Sequence, residues 1–157
     1  MASRLTAGTL TVTISEGLTI AHADTTNNIK HNKTVTASIT GVANISSRVY
    51  QLKASTTHTL ISFASDPTSG KFDTEDFKYM RITNLDDTSA VNLCFTDASD
   101  AAMAVQLNAG QSYLVTALNM DGNASGTTIT SCPHFVENAV IVTGGAETDV
   151  EIVVATA

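Results

Sequence analysis

Eight carboxylates fall between residues 66 and 100: Asp66, Asp73, Glu75, Asp76, Asp86, Asp87, Asp97 and Asp100. Paired acids of this kind can cleave glycosidic bonds, and acids on a loop can ligate calcium. The spacing supports neither chemistry. Asp97-Ala98-Ser99-Asp100 has no glycine for the tight calcium turn and no bidentate acid at the required offset, and Asp121-Gly122-Asn123 has no acid after it. Solvated loop acids are the expectation. The histidines His22, His31, His58 and His134 form no His-x-His or His-Glu-x-x-His pattern, so no metal ligands are predicted. Cys94 and Cys132 match no zinc spacing; two separate reduced thiols are expected, a single bridge being the alternative. There is no Gly-x-Ser-x-Gly elbow and no phosphate-cradling glycine pattern. Tryptophan is absent and aromatics make up 5%, which disfavours sugar-stacking faces and single-stranded nucleic-acid platforms. No catalytic, cofactor-binding or metal residue is predicted, and the chain is expected not to be an enzyme.

The elements that carry these side chains read as strands. Phe77–Leu118 is the clearest stretch. Tyr79, Arg81 and Thr83 point one way, and Met80, Ile82 and Asn84 the other. Val91, Leu93 and Phe95 alternate in the same manner, as do Met103, Val105 and Leu107, with turns at Asn84–Ala90 and Asn108–Gly110. Upstream, Thr9–Ile14, Leu18–Ala21, Thr34–Thr40, Arg48–Leu52 and Thr57–Phe63 are short alternating runs; Glu16-Gly17 reads as a break between the first two. In the fifth run Leu60 is expected on one face and Thr59, Ile61 and Phe63 on the other. Ser65–Gly70 is a strong turn. Phe72–Phe77 is a single helical turn that Asp73 or Thr74 could cap. Thr127–Ser131, Ala139–Val142 and Val150–Ala155 complete the set. About ten strands joined by short turns predict an all-β chain, an antiparallel β-sandwich of jelly-roll type, with a closed β-barrel as the alternative. The expected organisation is an N-terminal arm, residues 1–9, and one sandwich domain, residues 10–157.

Composition narrows the classes of partner. Charged residues are 15% against 43% hydrophobic, and Thr, Ser and Asn take the place of ions. Such a surface is easier to bury against another protein, because fewer charges lose their hydration. The formal net charge is −7, and the charges are unevenly placed. The first 60 residues hold five Lys or Arg against two acids, whereas Arg81 is the last basic side chain of the sequence. Binding to nucleic acid is therefore not expected. No apolar run is long enough to span a membrane, and the N-terminal stretch has no apolar signal core, so no membrane partner is expected and synthesis in the cytosol is.

Three pieces of the central block carry a resemblance. They are Lys78-Tyr79-Met80-Arg81-Ile82-Thr83-Asn84-Leu85-Asp86, then Val91-Asn92-Leu93, then Leu107-Asn108-Ala109-Gly110-Gln111-Ser112-Tyr113. Together they resemble small β-sandwich structural proteins of tailed-phage virions, over about 40 of the 157 residues. The resemblance implies a non-enzymatic virion component made in the host cytoplasm, a head decoration or cement protein without cofactors. Its partner would be the major capsid (coat) protein, bound at coat-subunit junctions, and it would be a homo-oligomer, a trimer by the same likeness. The alternative is a tail, neck or fibre component that binds a host-surface receptor or glycan through loops at Asp66–Gly70 and Asp121–Gly126. Candidate contact residues are Arg4 and Leu5 on the arm and Asp66, Asp86, Asp87, Asp121 and Asn123 on the loops.

Overall fold

The structure, a computed structural model, describes residues 7–20, 29–66, 70–97, 102–120 and 134–157. Every regular element among them is a β-strand. The chain forms two compact units, Met1–Ala43 and Asn44–Ala157.

The first unit holds two long strands, β1 (Gly8–Ile20) and β2 (Ile29–Val42), paired antiparallel along their length. The break expected at Glu16-Gly17 does not occur: Gly17 lies opposite Asn32 inside a continuous ladder. Gly8 and Thr9, expected to lie in the arm, belong to β1. Period-two alternation gives this ribbon two unlike faces. One carries Leu10, Val12 and Ile14 opposite Ile39, Ala37 and Val35; the other carries Thr11, Thr13 and Ser15 opposite Ser38, Thr36 and Thr34. Hydroxyls meet across the polar face, Thr13 with Thr36 at 3.5 Å and Ser15 with Thr34 at 3.3 Å.

The second unit contains a sandwich of two sheets, neither closed into a barrel. Its strands in chain order are β3 (Asn44–Leu52), β4 (Thr57–Ala64), β5 (Phe72–Asp73), β6 (Phe77–Asn84), β7 (Val91–Thr96), β8 (Ala102–Leu107), β9 (Ser112–Val115), β10 (Asn119–Met120), β11 (His134–Phe135), β12 (Asn138–Thr143) and β13 (Thr148–Thr156). One sheet has the order β5-β4-β12-β7-β8 and the other β3-β13-β6-β9, while β10 and β11 pair with each other. Neighbouring strands are antiparallel except β4 and β5. The last two long strands thus sit inside the sheets, β12 between β4 and β7 and β13 between β3 and β6.

The core follows the expected alternation. Met80 and Ile82 of β6, with Val150, Ile152 and Val154 of β13, meet Leu93 and Phe95 of β7 and Ile141 of β12. Each such side chain contributes about 1.5–3 kcal/mol by leaving water. The Phe95 and Tyr113 rings touch across the sheets at 5.6 Å, and Phe63 meets Phe77 edge-on at 5.5 Å. In β4 the expectation fails locally. Leu60, Ile61 and Phe63 are all buried, because the β12–β4 register shifts between Ala139 and Val140. The extra residue of a bulge resets the inward parity, so adjacent residues can both face the core. Phe72–Phe77 begins as a strand and continues as a turn rather than a helical turn; Asp73 does cap it, accepting from the Glu75 N–H at 2.9 Å.

Candidate contact surface

The four-stranded sheet turns the odd-numbered residues of β3, β13 and the second half of β6, and the even-numbered residues of β9, away from the core. Reading across β3, β13, β6 and β9, Val49 lies beside Glu151, which lies beside Thr83 and then Ser112. The next row runs Ser47, Val153, Arg81, Leu114. Among the described residues of this unit, four large apolar side chains are exposed, Ile45 and Val49 on β3, Leu85 just past β6 and Leu114 on β9. Ile45, Val49 and Leu114 belong to this outward set, and Leu85 lines the cleft at its end. Ile45 and Val49 keep 53% and 61% of their surface in water. They stand on β3, which among the described residues is an edge strand of its sheet.

The Arg81 guanidinium bonds the Glu151 carboxylate on the adjacent strand. The pair is diagonal, since Arg81 is opposite Val153 and Glu151 is opposite Thr83. Among the described residues, the buried Arg81 Nε has no hydrogen-bond partner. Tyr79, two residues before it, is buried; desolvation raises its phenol pKa and the Arg81 charge acts in the opposite direction.

At the end of this face lies an open cleft of about 330 Å³ lined by Gln51, Leu85, Asp86, Asp87, Glu147 and Asp149. Its shape is set by the turn after β6. Asn84, fully buried, donates from Nδ2 to the Ser89 carbonyl at 2.7 Å and to the Leu107 carbonyl at 3.2 Å, and its Oδ1 accepts from the Asp86 N–H at 3.1 Å. Asp86 Oδ1 in turn accepts from the Thr88 and Ser89 N–H groups at 2.8 and 2.6 Å and from the Thr88 hydroxyl at 3.2 Å. The backbone bonds to Ser89 and Thr88 hold its carboxyl below its ordinary pKa. The Leu85 N–H donates to the Asp149 carbonyl at 2.8 Å, which ties this turn to β13.

The predicted contact residues separate accordingly. Asp86 and Asp87 share the cleft, and one oxygen of Asp86 is committed to its own turn. Asp66 is exposed at the end of the β4 segment. Arg4, Leu5, Asp121 and Asn123 lie outside the described residues, as do Cys132, Asp100, residues 67–69 and the strand expected at Thr127–Ser131. Cys94 is a half-buried free thiol on β7. Among the described residues, no group of three or more His, Cys, Asp or Glu is placed to hold a metal ion. Ile45 and Val49 are not among the contact residues predicted from the sequence. The signal was available in Asn44–Leu52, where Ile45 and Val49 share a parity opposite to that of Tyr50 and Leu52.

No protein-family profile, curated protein or solved structure matches this chain.

Proposed function

We propose that the protein is a non-enzymatic structural component of a virion, which attaches to the capsid by laying the outer face of its four-stranded sheet against coat subunits. The observation that carries this reading is the gathering of Ile45, Val49 and Leu114 on one sheet face, with Leu85 at its end. These apolar side chains are interspersed on that face with Ser47, Thr83, Ser112 and the Arg81–Glu151 pair, and a mixed face of this kind, with few unpaired ions, is what a non-obligate protein contact uses. Gln51 and the acidic cleft bound this face at one end. Among the described residues β3 is an edge strand, and an edge offers backbone groups that a strand of another protein could extend. The resemblance of Lys78–Asp86 and Leu107–Tyr113 to small virion sandwiches supplies the class of partner, the major capsid protein.

The test is attachment of purified chain to particles that lack it, read by co-sedimentation. The wild type should pellet with particles. Val49→Asp should weaken attachment by about tenfold or more, because it buries a charge in an apolar contact. Thr59→Asp, on the other sheet, should attach as the wild type does. Equal attachment of Val49→Asp and wild type would remove this face from the contact, and binding to host-surface glycan instead would favour the fibre reading.

A further inference from the structure

The β1–β2 pair carries an apolar face whose large side chains are exposed. Ile14, Leu18 and Val35 are 48%, 52% and 49% exposed. A lone two-stranded hairpin is marginal in water, and a half-buried sheet needs a second layer over its apolar side. We infer that this face is an interface between copies of the chain, in which the hairpin of a second copy packs on it with its strands parallel to the first.

Charge placement selects both the occupant and its direction. Glu16 on β1 and Lys33 on β2 are directly opposite each other, next to the Ile14–Val35 row and on the same face. Glu16 also reaches His31 at 3.4 Å, and all three side chains are exposed. A two-fold or higher rotation about an axis along the strands sets β1 of one copy over β2 of the next. Leu10 then faces Ile39, Ile14 faces Val35, and Glu16 faces Lys33 of the second copy. Stacking the hairpins antiparallel about their midpoint, Ile14, would press Glu16 and Lys33 onto the apolar side chains of Val12 and Ala37, where they lose water and gain no counter-ion from the second copy. The face is therefore complementary to itself only in the parallel sense.

Size agrees with this occupant. β1 has 13 residues. At about 3.4 Å per residue and about 10 Å across two strands, two faces meeting would cover roughly 900 Å². That is close to the ~1,000 Å² expected of a specific interface, so association should depend on concentration. A ring of three hairpins would use the same pairing of β1 with the neighbour's β2. The inference does not depend on what the sandwich attaches to.

Sedimentation velocity of the full chain across a wide concentration range tests it. Wild type should pass from monomer to oligomer. Ile14→Asp should lower the association constant about tenfold or more, and Thr13→Asp, on the hydroxyl face, should not. Glu16→Lys and Lys33→Glu should each stay monomeric alone, and an equal mixture of the two should associate, which only a contact between copies can produce. Both exchanges replace exposed polar side chains, so they decide the matter even if Ile14→Asp disturbs the hairpin. Val49→Asp should oligomerise normally, which separates this contact from particle attachment. A wild type that is monomeric throughout, or a mixture no better than its components, would overturn the inference. So would a hairpin needed for particle binding in a chain that stays monomeric, because the coat would then be its occupant.

Discussion

Asn84 joins three segments with one side chain, the end of β6, the turn at Asp86–Ser89 and the end of β8. Replacing it with Ala leaves the Ser89 and Leu107 carbonyls without their donor and the Asp86 N–H without its acceptor. Asn84→Ala should lower unfolding free energy by about 2–3 kcal/mol, seen as a lower urea midpoint at unchanged slope. Asp86 predicts a pH effect of fixed sign. Its folded pKa lies below the ordinary 3.8, so the stability it contributes is complete above that value. That contribution declines as pH falls below 3.8 and is gone once pH passes the folded pKa. Asp86→Asn should therefore show a shallower loss of stability in that acid window than the wild type, in denaturation curves taken at successive pH values. Much of this scale was legible in the sequence. The inward set Met80, Ile82 and Asn84 follows directly from alternation. Leu60 was not legible, because a bulge depends on the partner strand, and nothing in Thr57–Phe63 names β12 as that partner.

At the scale of elements, the two units make opposite use of the same β pattern. In the sandwich, apolar stripes are covered by the opposing sheet, so Ile141 is fully buried. In the hairpin, Ile14 has the same alternation and stays open. Ile141→Ala should cost about 2–5 kcal/mol in the unfolding of the sandwich. Ile14→Ala, measured at a concentration where the chain is monomeric, should change it by less than about 0.5 kcal/mol. Periodicity identified both elements as strands but could not show which had a covering layer, since coverage is decided by residues far away in sequence. It also split β1 at Gly17. Glycine weakens a strand without necessarily ending it, and the pairing of Gly17 with Asn32 carries the ladder through. The sheet order was not legible either. Short turns suggested that consecutive strands pair, yet β12 and β13 insert between strands made much earlier in the chain.

For the molecule as a whole, the units differ in charge as well as in burial. Met1–Ala43 holds Arg4, Lys30 and Lys33 against Glu16 and Asp24, whereas Asn44–Ala157 holds thirteen acids against five basic residues. The acidic unit carries the exposed apolar sheet face, and the other carries the self-complementary hairpin. A protein with one surface for its own copies and another for a different partner is suited to bridging a repeating lattice. In the proposed role that lattice is a capsid. A density map of the native particle tests it most directly. The account predicts sandwich density on the outer shell at coat-subunit junctions, in regular copy number, with the sheet bearing Ile45 and Val49 turned toward the coat. A shell without such density, with the chain recovered free or only at the tail, would contradict it.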